Sequence, residues 1–233
     1  MGDRLSFEIF ESQQLLQKNN LIQKGAEANL YKGIFLGKDV VIKERIAKRY
    51  RHPILDRELR LFRTQREAKV LIAARAAGIS VPTLFGVDLT TMSLVMELIP
   101  GSILDSVLDT HLDQIAKQAL IKLGRQAALL HQNDMVHGDL TFYNVIITPS
   151  QDLFLIDFGL SSFSATLERK AMDLFTLFHT IKGTHALLLS SCEQAVEEGY
   201  QDVCGSEETR EIFKRVWEVG TRGRYIEKSK RRK

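Results

Sequence analysis

The most informative stretch of this sequence reads His137-Gly138-Asp139-Leu140-Thr141-Phe142-Tyr143-Asn144, and Asp157-Phe158-Gly159 follows thirteen residues after Asn144. Phosphoryl transfer needs oxygen ligands for a divalent metal ion and a carboxylate that orients the nucleophile. Asp139 suits the orienting, catalytic role, whereas Asn144 and Asp157 offer a neutral and an anionic oxygen to Mg²⁺. Two solvated turns are the alternative interpretation, but the short apolar runs beside both motifs favour a metal-phosphate site.

A second catalytic candidate lies upstream, in Val41-Ile42-Lys43. This tripeptide resembles the protein-kinase strand whose lysine contacts the α- and β-phosphates of ATP. A buried ammonium group needs a carboxylate partner, because an unpaired buried charge is costly. We expect Glu67 to be that partner, since it shares a helix face with residues 70, 71 and 74. Glu58 remains the alternative.

Two further segments are candidates for nucleotide binding. The run Lys24-Gly25-Ala26-Glu27-Ala28 occupies the place of a glycine-rich phosphate loop, although it has a single glycine and could be an ordinary hairpin turn. The run Met96-Glu97-Leu98-Ile99 fits a hinge in which backbone groups of Glu97 and Ile99 meet adenine and Met96 lines the pocket. The alternative for the hinge is simply the end of a strand.

The N-terminal part of the chain has the pattern of a β-rich layer with one long helix. Apolar and β-branched runs punctuated by glycines predict three strands between Leu21 and Lys43. Pro53 can open a helix that ends near Ala77, because Gly78 is suited to a helix C-terminus. Two more strands are expected at 83–87 and 93–98.

A helical pattern begins after Pro100-Gly101, where Ser102 and Asp105 resemble a capping box. Apolar residues then recur at helical spacing from Leu112 to Leu130, and further helices are expected near 169–181, 187–199 and 207–219. The sequence thus predicts a minimal α+β, two-lobed, protein-kinase-like fold without a full activation segment. We expect an N-terminal lobe at 1–98, a helical lobe at 99–219 and a basic tail at 220–233.

The composition of the chain argues against zinc-binding, disulfide-rich and membrane-spanning classes of protein. Cys192 and Cys204 lack the spacing of a zinc site or a disulfide framework, and no apolar run approaches the length of a membrane span. The N-terminal residues resemble neither a signal nor a transit peptide, so we expect a cytoplasmic or nuclear protein. The tail carries seven Lys or Arg against Glu227, a local charge of +6, and residues 43–69 carry ten basic against four acidic residues. Such clusters suggest a polyanion such as RNA, or only a solvated surface.

Taken together, the motifs resemble the small atypical kinases of the KEOPS complex, also called EKC, of the PRPK type. The resemblance covers nearly the whole chain, and its marks include the following runs: Gly25-Ala26-Glu27-Ala28, Tyr50-Arg51-His52-Pro53, Ala77-Gly78-Ile79-Ser80, His137-Gly138-Asp139-Leu140-Thr141, Ile156-Asp157-Phe158-Gly159-Leu160 and Arg222-Gly223-Arg224. It implies an ATP-hydrolysing enzyme that can phosphorylate serine or threonine, within an assembly that makes threonylcarbamoyladenosine in tRNA. It also implies direct contact with the threonylcarbamoyl transferase subunit and with other subunits, and RNA contacts from Arg222 and Arg224.

Departures from ordinary protein kinases agree with that resemblance. Only thirteen residues separate Gly159 from Asp173, the expected anchor of the next buried helix, and no Ala-Pro-Glu follows. Gly138 stands where regulated kinases have an arginine that receives an activating phosphate. Control by that ion pair is therefore not expected.

Three rival functions stay open. Small-molecule phosphotransferases also use His-Gly-Asp, but they usually carry a larger helical substrate domain after the second aspartate. A stand-alone protein Ser/Thr kinase and a non-catalytic scaffold are the others, and the scaffold is disfavoured because all the expected phosphate and metal groups are present in the sequence.

Overall fold

The computed structural model describes residues 16–108 and 113–222, with side chains up to Thr221. The described residues form two compact units. The first contains those up to Ala68 together with Thr83–Leu98, and the second contains Lys69–Pro82 together with those from Ile99 onward. The sequence-based division had placed residues 69–82 with the N-terminal part.

The first unit is built on a five-stranded antiparallel sheet in the order β1-β2-β3-β5-β4. Its strands have these bounds: β1 Leu16–Lys24, β2 Ala28–Phe35, β3 Lys38–Arg45, β4 Leu84–Asp88 and β5 Ser93–Glu97. Leu36 and Gly37 join β2 to β3, and both have positive φ angles of 50° and 74°, as a tight hairpin turn requires. The buried side chains of Val40, Ile42 and Val95 form the apolar core of the sheet. Five strands are present in the predicted regions, but Gly33 does not separate two strands as predicted, because β2 continues through it.

Helix α1 spans Pro53–Ala76. It opens on a proline, which needs no backbone donor in the first turn, and it ends before Gly78, whose φ of +80° is the left-handed conformation favoured after a helix. The predicted helix is thus confirmed at both ends.

The second unit is mainly helical. Its long helices are α2 Gln114–Gln132, α3 Leu167–Thr184 and α4 Leu189–Arg222, and Gly205 interrupts α4 with φ 76° and ψ 171°. Short strands form two small sheets: β6 Ser102–Ile103, β8 Val145–Ile147 and β9 Leu153–Leu155 in one, β7 Met135–Val136 and β10 Ser162–Phe163 in the other. Short 3-10 turns occur at Leu104–Val107, Phe142–Asn144 and Ala186–Leu188.

The prediction of a capping box at Ser102 and Asp105 is wrong. Ser102 lies in β6, where it pairs with Ile147, and only a 3-10 turn follows it. The N-cap of α2 is instead Asp113, whose Oδ1 accepts a hydrogen bond from the Ala116 N–H at 2.7 Å. Ladder hydrogen bonds to β8 satisfy the backbone at Ser102, so that segment does not begin a helix. The predicted position Leu112 lies outside the described residues.

Helices α2 and α4 approach so closely that glycine is required on both. A Cβ atom added to Gly124 would lie 2.1 Å from the Val196 carbonyl oxygen, and one added to Gly199 would lie 1.9 Å from that of Ile121. These distances are far below van der Waals contact. The close approach brings Tyr200, which is fully buried, onto α2.

Both cysteines are present as thiols, and Cys192 is buried. Among the helices in the described ranges, none is both long and apolar enough to cross a membrane.

Candidate active site

The loop around His137–Asn144 is held by a single carboxylate from helix α3. Asp173 Oδ2 accepts the backbone N–H of His137 at 2.6 Å, and Oδ1 accepts that of Gly138 at 2.8 Å. Asp173 is 2% exposed and His137 is buried, so the hydrogen bond between them forms away from water and is correspondingly strong. The sequence had identified Asp173 as a helix anchor, and the structure shows that it anchors this loop.

Gly138 adopts a conformation that other residues reach only with strain. Its φ is +79°, and a Cβ atom there would lie 2.2 Å from the carbonyl oxygen of Leu160. The position therefore excludes every side chain, including the arginine that regulated kinases carry at this point.

His137 supports the segment that carries Asp157. Its ring is fully buried, lies 4.6 Å from the Phe158 ring between centroids, and donates from Nε2 to the Ile156 carbonyl oxygen at 3.0 Å. Burial lowers the pKa of His137 below its ordinary value, and the nearby carboxylates of Asp173, Asp157 and Asp139 only partly oppose this effect. A neutral imidazole that donates through Nε2 therefore fixes the backbone just before Asp157.

A second histidine extends the network from Asp173 to the closely packed helices. The His131 Nε2 atom is 3.3 Å from Asp173 Oδ2, and its Nδ1 is 2.8 Å from the Tyr200 hydroxyl. Because a carboxylate can only accept, we assign the proton to Nε2, and the Tyr200 hydroxyl then donates to Nδ1. Burial raises the pKa of Tyr200, so the hydroxyl stays protonated for this role.

Asn144 and Asp157 lie at the same end of one hairpin. Asn144 precedes β8 and Asp157 follows β9, Val145 pairs with Leu155, and the Ile156 N–H donates to the Asn144 carbonyl oxygen at 3.0 Å. Asp157 has a φ of 60°, a strained conformation for a non-glycine residue, and its Oδ1 accepts the Gly159 N–H at 3.2 Å. Such strain is typical of functional positions.

The donor set at this end of the hairpin fits Mg²⁺. The Nδ2 group of Asn144 donates to the Asp139 carbonyl oxygen at 2.9 Å and to Asp139 Oδ2 at 3.1 Å. The amide nitrogen is thereby turned toward Asp139, which leaves the amide oxygen of Asn144 to act as a ligand beside the Asp157 carboxylate. Hard oxygen ligands of this kind suit magnesium.

Lys43 forms a buried ion pair in the first unit. Its Nζ lies 2.6 Å from Glu67 Oε1, and the side chains are 7% and 1% exposed. Glu58, the alternative partner, is exposed to solvent. Arg45 takes the other oxygen of Glu67 through Nη2 at 2.5 Å, so one carboxylate bridges two cations from the same strand.

The Gly25–Ala28 turn is held by basic residues. The Gly25 N–H donates to the Ala28 carbonyl oxygen at 3.0 Å, and Lys48 Nζ donates to the carbonyl of Ala26. The Glu27 carboxylate is paired with Arg63 at 2.9 Å and with Arg51 at 3.7 Å. Glu27 therefore offsets only a small part of the excess positive charge at 43–69.

The three expected hinge residues differ in burial and in the hydrogen bonds that they already form. Met96 and Ile99 are buried, whereas Glu97 is partly exposed and accepts the Thr83 N–H and hydroxyl through Oε2 at 3.0 and 2.6 Å. The Glu97 N–H donates to the Thr83 carbonyl oxygen at 2.8 Å. The Glu97 N–H is therefore already engaged within the first unit.

The structure places Lys24–Ala28, Lys43, Glu67, Met96 and Glu97 in the first unit, and Ile99, Asp139, Asn144 and Asp157 in the second. The side chain of Arg222 and all of Arg224 lie outside the described residues. Sequence reasoning missed Arg45, although the period of two along a strand puts it on the same face as Lys43. It also missed the anchoring role of His131, for which the sequence carries no signal.

Comparison with known proteins identifies relatives. The model of the RIO domain family matches residues 37–175. The KEOPS complex subunit Bud32 of Pyrococcus abyssi is 39% identical over 215 residues, which cover 90% of this chain and 97% of that protein. The EKC/KEOPS complex subunit Tp53rkb of Mus musculus is 35% identical over 222 residues, which cover 91% of this chain and 90% of that protein.

A third relative is longer. The probable bifunctional tRNA threonylcarbamoyladenosine biosynthesis protein of Methanothermobacter thermautotrophicus is 38% identical over 209 residues. The match covers 89% of this chain but only 37% of that protein. This chain therefore corresponds to about a third of the bifunctional relative.

Proposed function

This chain belongs to the RIO domain family and groups with Bud32-type proteins, and we propose that it is an ATP-dependent atypical kinase or ATPase that serves threonylcarbamoyladenosine modification of tRNA. The observation that carries the proposal is the catalytic loop held by Asp173, beside a hairpin end that presents Asn144 and Asp157. That arrangement supplies the groups that phosphoryl transfer requires.

Each residue of the loop has a distinct role in this proposal. Asp139 orients the attacking hydroxyl or water, and the Asn144 amide hydrogen-bonded to it holds its carboxylate in place. Asn144 and Asp157 hold Mg²⁺. When bound, the ion neutralises charge on the phosphate oxygens.

The first unit supplies nucleotide-binding groups. Lys43, aligned by Glu67, contacts the phosphates of ATP, and the Lys24–Ala28 turn covers them. The single-glycine turn contacts Lys48, Arg51 and Arg63. The Glu97 carbonyl oxygen and the Ile99 backbone meet adenine, and Met96 lines the pocket.

The partners follow from the relatives. Two of them are named as KEOPS subunits and another as a threonylcarbamoyladenosine biosynthesis protein. We infer that this chain assembles with a threonylcarbamoyl transferase and other KEOPS subunits in the cytoplasm and nucleus. Arg222 and Arg224, in a tail with a local charge of +6, contact the tRNA phosphates.

Reconstitution tests the proposal. The chain is mixed with a threonylcarbamoyl transferase subunit and tRNA, and both ATP turnover and threonylcarbamoyladenosine formation are measured. We expect turnover to depend on Mg²⁺, to rise with partner and tRNA, and to fall in Asp139→Asn. If the wild type turns over ATP only with a small-molecule acceptor, and the modification does not depend on this chain, the proposal is wrong and a small-molecule phosphotransferase is favoured.

A further inference from the structure

The C-terminal part of α4 carries an exposed face that the catalytic site does not use. Arg210, Lys214, Trp217 and Thr221 recur at intervals of three and four residues, which places them on one face of the helix, and all four are exposed. We call this face the 210–221 stripe. Trp217 is 71% exposed, although burial would be favourable for so large an apolar ring.

The cations of the stripe are available to a ligand. Within the described residues, neither Arg210 nor Lys214 forms an ion pair, whereas neighbouring Arg215 is paired with Glu168 at 3.6 Å and with Glu218 at 2.9 Å. Trp217 likewise has no ring partner in the part of the chain that the structure describes. The acids Glu207 and Glu211 lie toward the adjacent side of the helix, next to the cavity lined by Cys204 and Lys170.

We propose that the 210–221 stripe binds a single-stranded segment of RNA, with a nucleobase stacked on Trp217 and phosphates paired with Arg210 and Lys214. Single-strand binding proteins likewise combine an exposed aromatic ring with cations beside it. The stripe also leads along the chain into residues 220–233, whose local charge is +6, so the charge complementarity continues beyond the helix.

The composition of the stripe favours RNA over a protein partner. Lysine is depleted in protein interfaces, whereas Lys214 lies one helical turn from Trp217 in the stripe. A single strand is favoured over a duplex, because paired bases are stacked on each other and cannot stack on a side chain. The inference rests on the proposed role in tRNA modification for the identity of the RNA, but it makes no use of the ATP site.

Trp217 is the only tryptophan in the chain, so intrinsic fluorescence reports directly on this position. The full-length protein is titrated, without ATP, with a short single-stranded oligoadenylate, with a duplex RNA of equal length and with polyphosphate. We expect saturable quenching by the single strand and little quenching by polyphosphate, which has charge but no bases. Equal quenching by polyphosphate, or none by the single strand, would overturn the proposal.

Variants give a second measurement, by anisotropy of a labelled oligoadenylate. Trp217→Ala should weaken binding at least about fivefold, whereas Trp217→Phe should stay near wild type because it keeps an aromatic face. Leu187→Ala is the matched control, because Leu187 is an exposed apolar residue, 94% exposed, outside the stripe. Wild-type affinity in Trp217→Ala, or a loss in the control of the same size, would contradict base stacking.

Charge is tested separately in the double variant Arg210→Gln and Lys214→Gln. Each lost phosphate contact should reduce the slope of log affinity against log salt by about 0.7 for a single strand. ATP turnover without RNA should be unchanged in all stripe variants, so failure of the ATPase proposal would be seen independently of RNA binding. If the transferase subunit shifts Trp217 emission while RNA does not, the stripe is a protein interface and the RNA proposal is wrong.

Discussion

The carboxylate of Asp173 accepts the backbone N–H of His137 at 2.6 Å, across a sequence separation of 36 residues. Its other oxygen accepts the next amide, that of Gly138, and Asp173 itself is buried. One side chain on α3 thus determines where the His137–Asn144 loop begins, and the stability of the loop depends on that helix.

Replacing Asp173 should destabilise the protein. Asp173→Ala leaves the buried amide of His137 without an acceptor, which costs about 1–3 kcal/mol, and it also removes the acceptor of the Gly138 amide. We expect the free energy of unfolding, measured by urea denaturation, to fall by at least about 2 kcal/mol. Asp202→Ala is the control, since Asp202 forms an exposed pair with Arg125 and such pairs contribute only about 0–1 kcal/mol. Equal losses in the two variants would contradict the anchoring role.

Gly138→Ala separates steric exclusion from backbone strain. Gly78→Ala is its matched control, because Gly78 has nearly the same φ, +80° against +79°, but nothing within 4 Å of an added Cβ. Strain alone costs about 1–2 kcal/mol in either variant. Gly138→Ala should lose more stability and also its ATP turnover, whereas Gly78→Ala should remain active. Retained turnover in Gly138→Ala would mean that the loop tolerates a shift at Leu160.

Lys43→Ala and Asp157→Ala should each reduce ATP turnover by at least about 100-fold, because they remove a phosphate contact and a metal ligand. Both should fold, as judged by circular dichroism, since Glu67 keeps Arg45 as a partner and Asp157 is exposed. Glu67→Ala should unfold more readily than either, because it leaves two buried cations without their shared carboxylate. Near-normal hydrolysis in a folded Lys43→Ala protein would show that the active site is assigned incorrectly.

Asp139→Asn should bind Mg-ATP but turn it over poorly. Asn144 still donates to the Asp139 backbone carbonyl at 2.9 Å, so the position of the metal ligand is preserved while the orienting carboxylate is lost. Binding by calorimetry and single-turnover hydrolysis test this separately. A large loss of affinity with normal turnover of bound ATP would assign Asp139 to nucleotide binding instead.

The two thiols should react slowly in the native protein. Burial raises the pKa of Cys192 to about 11 and also raises that of Cys204. At about pH 8 roughly one part in a thousand of Cys192 is thiolate, so alkylation by iodoacetamide should become fast only after unfolding. Mass spectrometry of native and urea-treated samples measures this. Rapid native labelling of Cys192 would show that α4 opens around it.

Local sequence signals were sufficient to predict the helices and strands, but not all of their boundaries. Pro53 and Gly78 mark the ends of α1 by the conformations they favour, and both ends are confirmed. Ser102 was misassigned because a serine before an acidic residue looks the same whether the backbone is capped or paired in a sheet. The pairing with Ile147 is a contact over 45 residues that no local pattern contains.

In the candidate site, too, some contacts could be predicted from the sequence and others could not. The pairing of Lys43 with Glu67 followed from helix periodicity and the cost of a buried charge, and the ion pair is present. The tie from Asp173 to His131 and Tyr200 joins three separate helical segments, so it could be seen only in three dimensions. The roles of all these residues in ATP turnover stay predictions for the experiments above.

The glycine pair at the α2–α4 crossing limits how this protein can vary. Because Gly124 and Gly199 each meet a carbonyl oxygen of the opposite helix, a larger residue at either position collides with main chain and not with a side chain that could be trimmed. Second-site suppressors that shrink a neighbour are therefore unable to rescue such a mutation. Relief requires that the helices move apart, which would carry Tyr200 away from His131 and loosen the support of Asp173. A mutational scan should find this crossing as intolerant as the catalytic residues, although it touches no substrate.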